Sequence, residues 1–503
     1  MPRRRRIAVL ALLAAGAVAA LAGVLAGRAR DAGGPGTVAD PAAEALAYAD
    51  PHAPVAAVVA TDAGTGAGAR LAALVDRLPG NFIALPELQR LLADLVGLPY
   101  GAALKPLLGH PVVVTLPEAR STRGAQLVFV ARDPSRPREV LDAEVDAGAV
   151  HRAGDHRGAR LYVRGDGRAY AVRAQVLIAG PSVAAVTAAL DRRAARTGLT
   201  RRTFDARLYG LPGTAGAVAR VAASPAILGS LPRIPWVAAQ RGVALALVPG
   251  ADDLRLKVRI ATAPTADGDL PLARGPQPPD LHGRAEVVAG VRDPAATLPA
   301  LETLAAAERP TGFAAFDRAS DSVAHFTGVD VRGDVLRRLT GTLTITSNLS
   351  GITLRGEVDD PERVATTLGR LREIARLAPL AGLAGVDLDG YRLTEQDGRY
   401  VITRDDEPQL VFGVRGRVLI ASSDPHADLA RIAAAPTTTA GAAAGAGALR
   451  ALVAKPVLDR LITERLHLPR AVTFLLAPVG AATITGRAEP TATDLEIAVP
   501  VRR

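Results

Sequence analysis

Laid against itself at a shift of about 231 residues, this chain reproduces the order of its own elements, and that limits the fold to a doubled architecture. Asp62, after an apolar run, falls on Asp293, and Gly97 falls near Gly328. Gly109 and Gly341 each lead into a strand-like run, Val112 to Leu116 and Leu343 to Thr346. Leu127-Val128-Phe129-Val130-Ala131-Arg132-Asp133-Pro134 then matches Leu354-Arg355-Gly356-Glu357-Val358-Asp359-Asp360-Pro361, and Gly158-Ala159-Arg160-Leu161 matches Gly390-Tyr391-Arg392-Leu393. Asp166-Gly167-Arg168 corresponds to Asp397-Gly398-Arg399, Val176 to Ala179 to Val418 to Ala421, and the closing run Asp253 to Ile260 to Asp494 to Val499. The expected layout is copy one over residues 55–261, a Pro/Gly-rich linker over 262–283 and copy two over 284–503. The Thr/Ala/Gly-rich stretch Ala435 to Gly447 reads as a loop inside copy two.

Within a copy, runs of four to seven residues rich in Val, Leu, Ile and Thr are separated by Asp-Gly, Gly-Asp and Pro-Gly turns, the pattern of antiparallel pairing. Leu161 to Ala179 reads as a meander turning at Gly165-Asp166-Gly167. Pro86 to Leu95, Pro181 to Ala194, Ala295 to Ala307 and Pro361 to Leu377 carry apolar residues at three- and four-residue spacing and are expected to be helices. The fold class is α+β: a strand-rich antiparallel unit, present twice, behind an N-terminal transmembrane helix.

That helix is Ile7 to Gly27, a run with no charged side chain and the length an α-helix needs to cross a bilayer core. Arg3 to Arg6 precede it and Arg28 and Arg30 follow, so residues 1–30 read as a cytoplasmic arginine cluster and anchor. The positive-inside bias puts the body outside the cell membrane, single-pass, with residues 31–54 as spacer. A cleaved signal peptide is the rival reading, its apolar region usually shorter, about 7–15 residues. The membrane is therefore an expected partner through Ile7 to Gly27, with an envelope protein, cell-wall component or lipid as further candidates.

Six of the sixty basic residues sit in that terminus, leaving 54 basic against 50 acidic groups interspersed over the body. A nucleic-acid binder would show a basic stripe, and eight Phe, seven Tyr and one Trp are too few for base-stacking platforms. Zero Cys excludes disulfides, thiolate catalysis and Cys-ligated metals.

The anchor, the segment Pro54 to Asp62, Lys105-Pro106-Leu107-Leu108-Gly109 ahead of a strand, Val130 to Pro134 and Gly158 to Tyr162 together resemble the domain of unknown function 3352 family. The resemblance covers roughly residues 50–430. It implies a membrane-anchored protein, mostly of actinobacteria and their relatives, and brings no functional residue to this chain.

Chemistry-bearing groups are few. His151, Asp155 and His156 form the densest group of potential acid–base residues, but their spacing puts the two rings on different faces of a helix and lacks the Glu of a zinc hydrolase helix. They read as a polar turn between strands. Asp405, Asp406 and Glu407 could offer oxygens to a hard cation, yet the alternating calcium-loop pattern is missing, and they read as a hairpin tip. Gly64-Thr65-Gly66-Ala67-Gly68 has the strand-to-helix context of a phosphate cradle without its spacing or its Lys. The pairs Asp133-Pro134, Asp293-Pro294, Asp360-Pro361 and Asp424-Pro425 read as helix N-caps. No cofactor is implied. The leading expectation is a non-catalytic, tethered binding or scaffold protein of the cell envelope. The alternatives are a lipid carrier with an aliphatic cavity under a curved sheet, and an extracytoplasmic hydrolase built on His151, Asp155 and His156.

Overall fold

The computed structural model describes residues 38–64, 66–77, 89–90, 92–118, 121, 124–228, 235–283, 285–308, 310–381, 391–437, 447–466 and 478–502. Among them no helix is long and apolar enough to cross a membrane, and Ile7 to Gly27 lies outside them.

The first half contributes β1 (Val55–Val59), β2 (Val112–Leu116), β3 (Gln126–Val130), β4 (Val150–His156), β5 (Ala159–Arg164), β6 (Ala169–Arg173), β7 (Val176–Gly180), β8 (Ala219–Ala223), β9 (Gln240–Pro249) and β10 (Asp253–Thr262). The second contributes β11 (Val287–Arg292), β12 (Leu339–Asn348), β13 (Gly351–Val358), β14 (Tyr391–Gln396), β15 (Arg399–Arg404), β16 (Glu407–Arg415), β17 (Val418–Ser422), β18 (Leu449–Val453), β19 (Ala482–Glu489) and β20 (Ala492–Pro500). All twenty join one antiparallel sheet. Its first half runs β4-β5-β6-β7-β3-β2-β1-β8-β9-β10 in space. The second half runs β14-β15-β16-β17-β13-β12-β11-β18-β19-β20, the same order position for position. The halves meet where β10 pairs with β20, from Asp253 opposite Pro500 to Ala261 opposite Ala492.

In the first half both faces of the sheet are covered. Val128, Val130, Val176 and Ile178 point to one side, under the helices Pro41–Leu46, Val183–Ala195 and Arg201–Ala206. Leu127, Phe129, Leu177 and Ala179 point to the other, under the helix Arg136–Asp146 and the short turns Tyr100–Leu104 and Lys105–Leu107. Side chains alternate along a strand, so a strand sandwiched this way must be apolar at every position. Accordingly β1, β3 and β7 are buried along their whole length.

Two stretches expected as connections are part of the fold. In the segment 31–54, Asp40 caps the helix Pro41–Leu46 by accepting from the Ala43 N–H, and Ala45, Leu46 and Tyr48 are buried. Arg193 grips Glu44, and Arg192 and Gln126 donate to the Tyr48 carbonyl, tying the segment to Val183–Ala195. In 262–283, β10 runs on to Thr262, and Leu270, Leu272, Ala273 and Leu281 are buried. The apolar residues of both stretches are too irregularly spaced to show a period, which hid their burial. The expected helices appear as Val183–Ala195, Pro294–Glu308 and Pro361–Ala381, while Pro86 to Leu95 lies partly outside the described residues.

Candidate functional site

His151, Asp155 and His156 sit on β4, an edge strand, and not in a turn. A bulge between Arg152 and Gly154, with Gly154 at φ 118°, breaks the register and blunts the edge against pairing with another chain. Asp155 is held by Arg152 at 3.0 Å and is exposed. His156 Nε2 meets Asp191 at 3.0 Å, and hydrogen bonds from Arg157 and then His156 hold the Asp191 carboxyl below its ordinary value. His151 is exposed, and the strand does not gather the three groups around a common point.

Asp405 and Asp406 occupy the two left-handed positions of the β15–β16 turn, at φ 52° and 66°, as a two-residue hairpin requires. Arg392 pairs with Asp406 at 3.2 Å, and Glu407 opens β16 opposite Arg404. Among the described residues no group of three or more metal-ligating side chains converges.

At the glycine loop, the Gly64 N–H donates to Asp62 Oδ1 at 2.8 Å, and a Cβ on Gly68 would lie 1.6 Å from the Asp62 carbonyl oxygen. A carboxylate thus occupies an amide that a phosphate would need, and the glycine serves close backbone approach. Asp62 also pairs with Arg132 at 2.9 Å beside His110. Burial and then Arg132 push the His110 imidazole below its ordinary value, with Asp62 opposing.

Of the four Asp-Pro pairs, Asp360 alone caps a helix directly, accepting from Arg363 N–H at 3.0 Å. Asp133 and Asp424 accept from the amide two residues on, at Ser135 and His426, forming turns ahead of their helices. Asp293 instead pairs with Arg292 and lies at φ 48°.

Three features escaped sequence reasoning. The first is a cleft of about 490 Å³ lined by Leu95, Val96, Leu127 and Ala179 together with Asp94, Asp166 and Arg168. Its basic wall is structural: Arg168 donates to the Asp94 carbonyl and Tyr170 to those of Val96 and Gly97, satisfying a helix C-terminus. The mixed lining differs from the aliphatic cavity expected of a lipid carrier.

The second is the seam. Arg259 grips Asp494 with two hydrogen bonds, 2.6 and 2.8 Å, and Arg487 adds two more at 3.0 and 2.9 Å. Burial pushes the Asp494 carboxyl up, but the Arg259 and Arg487 hydrogen bonds and charges outweigh it and hold the group below 3.8. Lys257 lies 3.5 Å from Glu496, and a cleft of about 200 Å³ opens beside them. Arg255-x-Lys257-x-Arg259 against Asp494-x-Glu496, opposite charges at period two, was the signal.

The third is the β12–β13 hairpin, whose aliphatic side is buried at the root, where Leu339 pairs with Val358 under the helix Pro361–Ala381, and exposed toward the tip. Leu349 is 87% exposed, Ile352 53% and Leu354 39%, whereas Thr342, Thr344 and Arg355 on the opposite side are buried. Thr344 Oγ1 and Arg355 Nε and Nη1 have no hydrogen-bond partner, and Arg355 Nη2 donates to the Ala433 carbonyl at 3.2 Å.

No protein-family model matches the chain, and no curated protein matches it. Among solved structures, crystal form III of TP0453 is 12% identical with a TM-score of 0.28, over 46% of this chain and 82% of that one. Crystal form I of TP0453 is also 12% identical, with a TM-score of 0.27 over 46% and 81%. A likeness this slight carries no argument about this chain.

Proposed function

We propose that the protein is a non-catalytic binding or scaffold protein of the cell envelope, tethered through Ile7 to Gly27 with its body outside the membrane, and built from two copies of one unit. The observation that carries it is the sheet. Its two halves share one strand order and one hydrogen-bonded array, joined through β10 and β20, so the body presents a continuous sheet. Two hydrogen bonds from Arg259 to Asp494 brace the joint, and two from Arg487 on the neighbouring strand hold the carboxylate in place. The resemblance to the domain of unknown function 3352 family belongs to the same proposal.

With the helix Pro41–Leu46 packed into the body, only residues 28–39 separate the apolar run from the fold. Twelve extended residues reach at most about 40 Å, so the body stays within that distance of the bilayer. The test is cell fractionation of the full chain in a bacterial host. The proposal expects resistance to carbonate extraction and cleavage of the body by protease added outside spheroplasts. A carbonate-soluble chain, or a body protected until the cells are lysed, contradicts it. Native mass spectrometry separates the carrier alternative, since a scaffold runs at its apo mass and a carrier brings a stoichiometric lipid.

A further inference from the structure

We propose that the tip of the β12–β13 hairpin is a second membrane contact, entering the interfacial layer of the bilayer to which the chain is tethered; the inference rests on that tether. The first observation is an inversion. In water a hairpin covered on one side buries its aliphatic side and shows its threonines, and the informative exception is an exposed large apolar patch over buried polar groups. Here Leu349, Ile352 and Leu354 face out while Thr344 and Arg355 are buried with atoms unpartnered. A slip of one residue would exchange the two sides, so the register that buries Leu339 and Val358 at the root of the aliphatic side also holds Ile352 and Leu354 outward near the tip.

The second observation is composition. From Leu339 to Leu354 the sequence has no charged side chain, being Leu, Ile, Thr, Ser, Asn and Gly only. The corresponding turn of the first half, between β2 and β3, carries Glu118, Arg120 and Arg123. A protein partner would be met by aromatic and arginine anchors, which the patch lacks; an acyl-chain boundary asks only for aliphatic groups.

The third is that the tip carries its own hydrogen bonds. Asn348 Oδ1 accepts from Ser350 N–H at 3.0 Å, Gly351 N–H at 3.1 Å and Ser350 Oγ at 2.7 Å. Ile352 N–H donates to Ser423 Oγ at 2.9 Å, and its carbonyl accepts from Ser423 N–H. Backbone groups satisfied internally can leave water without the cost that bars open loops from lipid. Asp424 beside Ser350 sets the depth limit, keeping entry to the headgroup and upper acyl region.

The occupant follows from the chain outside the described residues: an apolar run at 7–27 and a connection of at most about 40 Å leave the bilayer as the surface always within reach. Because the chain has no Cys, single labels are unambiguous. Full-length Leu349→Cys and Glu118→Cys carry a polarity-sensitive fluorophore in phosphatidylethanolamine/phosphatidylglycerol vesicles containing a nitroxide-labelled lipid. The expected result is flotation of both, with only the residue-349 label quenched by nitroxide and shielded from iodide, and loss of that shielding in Ile352→Asp. Flotation with both labels equally open to iodide overturns the hairpin contact and leaves the tether standing. Failure to float overturns the tether and the inference with it. A residue-349 label shielded without nitroxide quenching, in a chain of dimer mass, overturns the inference in favour of a second copy.

Discussion

Val128 and Arg355 occupy the same step of the same strand order. Val128 lies between Val113 and Ile178, and Arg355 between Thr344 and Ile420. Val128 is sealed under the thirteen-residue helix Val183–Ala195 and the helix Pro41–Leu46. At the matching place in the second half the helix is Leu429–Ala433, five residues, and Arg355 fills the space with its stem while its guanidinium donates to Ala433, near that helix's C-terminus. One topology is therefore finished in two ways. The first half is closed by apolar packing on both faces, and the second is left partly open, with Arg355 set against a shorter helix. Strand order is set by the pairing, and how much of the sheet is exposed is set by the covering layer.

The comparison is open to mutation, beginning with the largest effect. Val128→Arg buries a charge with no carbonyl to meet it, and the full chain should lose more than about 4 kcal/mol in urea unfolding. The reverse change, Arg355→Val, removes an under-satisfied buried cation and should stay within about 1 kcal/mol of the parent or stabilise it. A severe loss from Arg355→Val would show that the guanidinium has a partner that matters. One residue back, Leu127→Ala empties a fully buried site, for about 2–5 kcal/mol. Leu354→Ala, at 39% exposure, should cost less than about 1 kcal/mol. Equal costs would mean that the second half is as closed as the first.

The joint gives a third test. Asp494→Asn leaves Arg259 and Arg487 without their carboxylate in a site 13% exposed, and about 2–3 kcal/mol is expected. The Asp494 pKa is depressed in the folded state, so its contribution is present above the unfolded value near 3.8 and is lost as pH falls through the folded value. The parent should lose stability as pH drops below about 4, and Asp494→Asn should flatten that slope. An unchanged acid limb would remove Asp494 from the joint. Smallest is Asp360→Ala, which deletes the N-cap of Pro361–Ala381 for about 1 kcal/mol, while Asp293→Ala, not a cap, should move the melting midpoint little. Parity between these two would restore a common capping role for the Asp-Pro pairs.

The α+β class, the antiparallel pairing and the correspondence of strands were legible because they rest on local signals: β-branched runs, Asp-Gly turns and a self-match that structural register reproduces at Val128 and Arg355. The covering of both faces of the first half left a signal that was not read, in runs such as Val112-Val113-Val114, apolar at successive positions, against the alternating Leu339-Thr340-Gly341-Thr342-Leu343-Thr344-Ile345 of β12. The seam was harder, because the charges of β10 and β20 gain meaning only once two strands about 240 residues apart lie side by side. The outward hairpin could not be read at all. Its alternation predicts one apolar and one polar side, and which side the rest of the fold covers depends on the short helix Leu429–Ala433, on the helices Pro294–Glu308 and Pro361–Ala381, and on the packed segment around Leu281.

The most direct measurement is amide hydrogen exchange on the full chain, read by mass spectrometry peptide by peptide. A sheet closed in one half and open in the other predicts slow exchange throughout β1, β3 and β7 and distinctly faster exchange in β11, β13 and β17, with β10 and β20 protected together at the joint. Equal protection in the two sets of strands, or separate opening of β10 from β20, would contradict the account.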